Sequence, residues 1–367
     1  MRGGGAERVM LTLANDFAKR GLAVDLVLVS AEGPYLKNVA PEVRIVDLQA
    51  SRSLKSLPGL VRYLRLERPK ALLATIGQTN QLAVAAKRLA GVSTRVVVRE
   101  SNVVLNKPSR LGNVYGRLAH QLYRRADGVV APSRGVADNL CERLNLPPEQ
   151  VTVIYSPVIS PELLRKGNMP LAHRWFGADA AAPVILSAGR LTRQKNFASL
   201  VRAFAQVRRQ RPAKLLILGE GEERQRLTEL VSELNLQDDV ALPGFVDNPF
   251  PYMKYAAVFV LSSLWEGLPN VLIQALALGA PVVATDCRSG PAEILEGGKY
   301  GPLVPVDDDE RLAEAIVNVL DTPTLPVDEQ WRSKFSQETA SAQYLELLGI
   351  NTQKLTERPV AEAQSAG

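Results

Sequence analysis

The chain has 367 residues, 46% of them apolar, a formal charge of +6 and a mean hydropathy of −0.03, enough for two ordinary domains with a core each. It has no apolar run of the ~18 residues a spanning helix needs, and the first ten residues, with Arg2, Glu7 and Arg8, lack the apolar core of a signal peptide. Cys141 and Cys287 lie far apart with no metal-ligand spacing around them, which predicts two reduced thiols in a cytoplasmic protein. The charge is uneven. Residues 1–165 hold 24 Lys and Arg against 13 Asp and Glu, the remainder 20 against 25, so an anionic partner would meet the first half. Nucleic acid is disfavoured, because no aromatic interleaving or helix-turn-helix signal accompanies the basic residues.

In chain order, the sequence opens on a glycine turn, Gly3-Gly4-Gly5, leading into a helix over 6–20 with no strand before it. A strand–glycine loop–helix unit lacking its strand suggests that residues upstream are missing. The turn is not a dinucleotide fingerprint, since Glu7 and Arg8 stand where a third glycine is required. Apolar runs then predict strands at 23–29, 43–48, 71–75, 95–99, 128–131 and 151–154, with helices at 57–68, 78–90 and 111–126 between them. The second half repeats the scheme, with strands at 184–188, 214–218, 240–242, 258–261, 281–285 and 303–304. Such alternation predicts an α/β chain of parallel sheets, two Rossmann-like halves facing each other across a crevice at their strand ends. The expected divisions are a first domain over 1–167, a second over 168–327, an amphipathic helix over 328–350 that returns to the first domain, and a disordered tail over 351–367.

The densest information lies at strand ends in the second half. After the strand at 184–188 come Gly189, Arg190 and, five residues on, Lys195 and Asn196. After the strand at 258–261 comes a turn with Glu266, then Gly267-Leu268-Pro269-Asn270 opening a helix, with proline where a missing N–H costs nothing. Two cations and a helix N-terminus at the carboxyl ends of strands suit a doubly charged phosphate ester. Asp307-Asp308-Asp309 precedes a helix and reads as a cap cluster rather than a metal site.

Taken together, Gly3-Gly4-Gly5-Ala6-Glu7-Arg8, Gly189-Arg190-Leu191 with Lys195-Asn196, Gly219-Glu220-Gly221, Glu266-Gly267-Leu268-Pro269-Asn270 and Ser289-Gly290-Pro291-Ala292-Glu293-Ile294-Leu295 resemble the retaining glycosyltransferases of family 4, over about residues 3–350. The resemblance implies the two-domain GT-B fold and transfer of a hexose or N-acetylhexosamine from a nucleotide sugar, here a UDP-sugar, with no cofactor and no metal. It implies that Arg190 and Lys195 hold the diphosphate, whose charge grows as the glycosidic bond breaks, and that the amides of Gly4 and Gly5 reach it from the first domain. Glu266 matches the first carboxylate of the family's Glu-x7-Glu pair and would bind hydroxyls of the transferred sugar. The second carboxylate is replaced by Gln274, which keeps an acceptor for a ribose hydroxyl but loses charge, about 1 kcal/mol. Gly189, Leu268, Asn270 and Val271 complete the donor contacts, and Glu220 and Val246 match positions on the nucleotide side.

In the first half, Arg99-Glu100-Ser101-Asn102 ends a strand, and Glu100 and Asn102 are the candidates for contacts to the sugar or acceptor. Many relatives have a histidine near here. This chain has His120, inside a predicted helix beside Leu118 and Leu122, and His173 in residues 168–183, which read as the linker region between the domains. Basic residues with interleaved leucines, Lys55, Arg62 and Arg65 with Leu54, Leu57, Leu60 and Leu64, and Arg110, Arg117, Arg124 and Arg125, suit a helix lying on an anionic bilayer. The expected acceptor is therefore a glycan or lipid-linked saccharide of surface polysaccharide or lipopolysaccharide assembly, met at the inner face of the cytoplasmic membrane. Two other readings stay open. One is a non-catalytic nucleotide-sugar-binding partner of an assembly complex; the other is a UDP-sugar epimerase of the same fold.

Overall fold

A computed structural model describes residues 4–102, 120–177 and 182–351, and every strand predicted from an apolar run is present and paired with a parallel neighbour. The strands are β1 (Val24–Leu28), β2 (Val43–Asp47), β3 (Ala71–Thr75), β4 (Arg95–Arg99), β5 (Gly128–Ala131), β6 (Val151–Val153), β7 (Val184–Ala188), β8 (Lys214–Leu218), β9 (Val240–Gly244), β10 (Val258–Leu261), β11 (Val282–Thr285) and β12 (Leu303–Val304). They belong to two units, one of residues 1–132, 137–157 and 337–367, the other of 133–136 and 158–336.

In the first unit β3, β4, β5 and β6 form one sheet in chain order, and β1 and β2 pair separately. The helix Gly5–Lys19 turns its apolar face, Val9, Leu13 and Phe17, onto a core shared with Val97, Val130 and Ile154. The helix Gln337–Leu347, almost 200 residues from β6 in sequence, completes that core with Tyr344 and Leu345. Its Tyr344 hydroxyl accepts from Arg99 Nε at 3.1 Å, and Arg99 Nη2 donates to Ser156 Oγ at 3.0 Å. This arginine, 2% exposed, is thus a packed member of the core.

In the second unit the six strands run β12-β11-β10-β7-β8-β9, all parallel. From β7 the chain steps outward through β8 to β9, then returns to lay β10 on the other side of β7. The order therefore reverses between β7 and β10, the place where an open α/β sheet offers room for a ligand at its carboxyl edge. Leu200, Val201, Phe204 and Val207 of the helix Phe197–Gln210 and Leu312, Ile316 and Val319 of the helix Asp309–Asp321 cover one face of this sheet.

Two boundaries differ from expectation. Residues 158–167 belong to the second unit rather than the first: the helix Pro161–Gly167 packs against the helix Phe250–Tyr255, close enough that a Cβ on Gly167 would lie 2.4 Å from Leu278 Cδ2. The single helix expected over 328–350 is two, Glu329–Lys334 in the second unit and Gln337–Leu347 in the first. The break has a local cause. The Phe335 carbonyl, which a continuous helix would use, accepts instead from the amides of Val158 and Ile159 at 3.1 and 2.9 Å. Trp331 anchors the short helix, its indole N–H donating to the Ile294 carbonyl at 2.7 Å. The tail expected from 351 onward lies outside the described residues beyond Asn351, as do residues 103–119, with Arg110 and Arg117, and part of the predicted linker.

Candidate functional site

The reversal between β7 and β10 brings two loops side by side. After β7 the chain passes Gly189 and Arg190, makes a 3-10 turn over Arg193–Lys195, and enters the helix Phe197–Gln210 from Asn196, whose left-handed backbone (φ 49°) asparagine tolerates. After β10 it passes Ser262, Ser263 and Glu266 into the helix Asn270–Ala277. The loops are stitched together: Ser262 Oγ donates to the Lys195 carbonyl at 2.9 Å, Gln194 Nε2 to the Trp265 carbonyl at 2.8 Å, and the Leu264 amide to the Gln194 carbonyl at 2.8 Å.

At their centre Lys195 Nζ lies 2.6 Å from Glu266 Oε1, which also accepts from Ser263 Oγ at 2.7 Å. Both charges are largely removed from water, with side-chain exposures of 17% for Lys195 and 8% for Glu266. Such a pair holds its geometry tightly, because either charge alone would be costly there. Gly189 makes room for it: a Cβ there would sit 3.2 Å from Lys195 Cε. Behind, a Cβ on Gly219 would meet the Gly189 carbonyl oxygen at 1.9 Å and one on Gly221 the Leu191 carbonyl oxygen at 2.2 Å, so the Gly219-Glu220-Gly221 turn is the backing of the Arg190 loop. The Leu191 amide donates to the Glu220 carbonyl at 2.8 Å and closes that contact.

The first amides of the helix Asn270–Ala277, on Asn270 and Val271, have no intrahelical acceptor, and their dipoles favour an anion. Asn270 Oδ1 is buried without a hydrogen-bond partner. Leu268 and Gln274 are buried, and Gln274, one turn after Asn270, shares its face of the helix. The turn before the helix is held from outside. Gly267's carbonyl accepts from Ser133 Oγ at 2.8 Å and Ser289 Oγ at 3.0 Å, and Gly290 (φ 93°) lies where a Cβ would come 2.5 Å from Pro269 Cδ. Glu293 of the same motif accepts from the Arg134 amide at 3.0 Å. Arg190 is exposed with no carboxylate partner among the described residues. It stands on the same loop as Lys195, one residue past Gly189. Burial pushes the Cys287 thiol up to about 12, and the Glu266 carboxylate adds to that shift.

The structure therefore gathers Gly189, Arg190, Lys195, Glu266, Leu268, Asn270, Val271 and Gln274 onto two adjoining loops and one helix. Glu220 stands differently. Its carboxylate takes both Nε and Nη2 of Arg224, at 2.7 and 2.6 Å, and is held below the usual range by that hydrogen bonding, so its side chain serves the turn. Val246 is half-buried beyond β9, the edge strand two places from β7. Asp308 caps the helix Asp309–Asp321, accepting from the Arg311 amide at 3.0 Å, Asp307 accepts from Asn196, and Asp309 is paired with Arg202.

In the first unit, Gly4 donates its N–H to Glu7 Oε2 at 2.9 Å, so the amide role expected of the glycine pair is open only to Gly5, the first helical residue. Glu100 follows β4 and accepts from the Tyr123 hydroxyl at 2.6 Å, while Asn80 Nδ2 donates to that hydroxyl at 3.0 Å. Burial holds the Glu100 carboxyl above its usual range. Asn102 is half-buried nearby in sequence. His120 meets the Leu144 carbonyl, and His173 stacks edge-on with Trp175, Phe176 and Tyr252. Sequence reasoning missed Ser263, Ser133, Tyr123 and Asn80. For Ser263 a signal existed in its three-residue spacing from Glu266; for the others, contacts over 23 to 134 residues left none.

A family model described as a glycosyl transferase 4-like domain matches residues 4–157, and one described as glycosyl transferases group 1 matches residues 182–322. The chain is 31% identical over 336 residues to the Campylobacter jejuni N-acetylgalactosamine-N,N'-diacetylbacillosaminyl-diphospho-undecaprenol 4-alpha-N-acetylgalactosaminyltransferase, covering 88% of each. It is 29% identical to the lipopolysaccharide core biosynthesis glycosyltransferase LpsE of Rhizobium meliloti, over 94% of this chain and 96% of that one. Among solved structures it resembles Anabaena HepE in complex with UDP, with a TM-score of 0.69 at 20% identity over 96% of this chain and 94% of that one.

Proposed function

The chain belongs to the group 1 glycosyl transferases and has the GT-B fold, and on that footing we propose that it moves a hexose or N-acetylhexosamine from a UDP-sugar to a glycan or lipid-linked saccharide, with retention at the anomeric carbon and without a metal. The observation that carries the reading is the Lys195–Glu266 pair at the reversal of the sheet, on loops that also hold Arg190, without a carboxylate partner among the described residues, and a helix N-terminus.

Each group has a chemical task. Glu266 Oε1 is occupied by Lys195 and Ser263, which leaves Oε2 to accept from hydroxyls of the transferred sugar. Arg190, Lys195 and the amides of Asn270 and Val271 face the diphosphate. As the glycosidic bond breaks, negative charge collects on the leaving phosphate, and fixed donors stabilise it more in the transition state than in the substrate. These donors do what a metal does in other transferases. Retention follows if the leaving phosphate takes the proton of the acceptor hydroxyl on the face it departs from, a route in which no side chain must become covalently bound. Glu266 binds the sugar rather than attacking it in this scheme. Glu100 and Asn102 contact the sugar or acceptor in this scheme, and a surface-glycan acceptor is supported by the undecaprenyl-diphosphate and lipopolysaccharide relatives.

Gln274 favours one second reading, a nucleotide-sugar binder that does not turn over. Both are tested by thermal unfolding with UDP, GDP and ADP, followed by UDP-sugars. We expect UDP to raise the melting temperature, since a ligand at 100 times its Kd adds about 2.7 kcal/mol. Arg190→Ala should lose the shift. Absence of a shift with any nucleotide sinks both readings, while a shift with no UDP release from any UDP-sugar in the presence of lipid-linked acceptors favours the binder.

A further inference from the structure

One open concavity lies away from this site. It is a shallow trough of about 580 Å³ on the first unit, lined by Leu57, Pro58, Val61, Arg62, Arg65, Leu66 and Leu89. It lies between the helices Leu57–Glu67 and Gly77–Ala90, which pack on each other. Both helices have satisfied their core: Leu60, Tyr63, Leu64 and Ala86 are buried inward. Leu60 and Leu64, read from the sequence as part of a bilayer-facing set, are therefore core residues. The outward leucines are others. Leu66 is 70% exposed and Leu89 57%, and both line the trough; Leu54, 67% exposed, stands on the 3-10 turn Ser53–Ser56 that leads into the first of these helices.

The charge along this stretch of chain is mostly positive. Between residues 52 and 70 stand Arg52, Lys55, Arg62, Arg65, Arg68 and Lys70, and the lone carboxylate, Glu67, is paired with Arg44. Arg88 is exposed beside Leu89. Arg65 is partly committed, its Nη2 donating to the Leu89 carbonyl at 2.7 Å, which ties the two helices together at the trough. A second copy of this surface would oppose like charges. The leucine tips project from separate elements and form no deep slot for a partner helix. A broad surface that is anionic at its plane and apolar just beneath meets both features at once.

We propose that this trough and its leucines are a docking face for an anionic lipid bilayer, with Leu54, Leu66 and Leu89 entering the interface and Arg62, Arg88 and Lys55 meeting the headgroups. It deepens the proposed use of a lipid-linked acceptor and rests on that reading for its purpose, but not for its test. The full chain is floated with vesicles of phosphatidylcholine, with and without phosphatidylglycerol. Binding is expected to the anionic vesicles only and to fall about tenfold or more at ~0.5 M salt, where charge is screened within a few Å. The variant R62E/L66Q/L89Q, which leaves the core positions and Arg65 intact, should lose at least tenfold in binding while keeping the parent's melting temperature. It should also keep the parent's UDP-induced shift. R209E, an exposed charge of the second unit, should bind as the parent does. Equal flotation with neutral vesicles, flotation of the triple variant, or no flotation of the parent overturns the docking face. Because UDP binding is read on the same samples, such a failure is separate from a failure of the transferase reading.

Discussion

At the scale of single residues, the pair Lys195–Glu266 allows structure and chemistry to be pulled apart. Removing Lys195 alone leaves a buried carboxylate with only Ser263 as donor. Full burial would cost about 3–5 kcal/mol, and the remaining serine and partial exposure of the lysine reduce this to ~2 kcal/mol. Replacing both partners by Met and Leu removes the uncompensated charge, so K195M/E266L should recover most of that stability in urea titrations while transfer falls by 10²-fold or more. A double variant that regains activity along with stability would show the pair to be scaffold only. Glu100 gives the pH counterpart. Burial raises its carboxyl pKa, so the folded state holds the proton more firmly than the unfolded chain. That contribution is fully present below the ordinary glutamate value and is lost as pH rises through the raised one. E100Q, which still accepts from Tyr123, should therefore gain in melting temperature over the parent as pH climbs from 4 to 8. A gap that stays flat over this range would contradict the assignment.

At the scale of elements, the two site loops are placed by their neighbours. The Arg190 loop rests on a turn that only glycines permit, and the Glu266 loop is clasped by Ser133 and Ser289 through one carbonyl. The helix Gln337–Leu347 is an element whose partners lie far away in sequence. It supplies Tyr344 and Leu345 to the first unit's core and the hydroxyl that receives Arg99. Ending the chain after Ser336 strips that core and leaves a buried guanidinium with Ser156 alone. Amide exchange should then rise sharply across β4 and β5, by 100-fold or more, while β7 and β10 keep their protection. Equal loss in both sets would mean that the two cores unfold as one.

At the scale of the whole molecule, the sequence by itself determined the class of the protein. Apolar runs of four or five residues between amphipathic helices could only become parallel strands, and all twelve did. The glycine, cation and carboxylate motifs were legible because they stand just past strand ends, where local backbone sets their direction. What the tertiary structure alone decided was neighbourhood. The sheet order placed β10 beside β7, and with it Glu266 2.6 Å from Lys195, 71 residues earlier. Glu220 and Lys195 carry equally plausible motifs, but packing tied one to Arg224 as a brace and set the other against Glu266. Leu64 and Leu66 are alike in sequence; one fills the core and the other stands in water because a helix presents them to opposite sides of a partner fixed elsewhere in the chain. Periodicity depends on near neighbours and so can be read in one dimension, whereas charge pairing and burial depend on which distant segment arrives, and folding chose that.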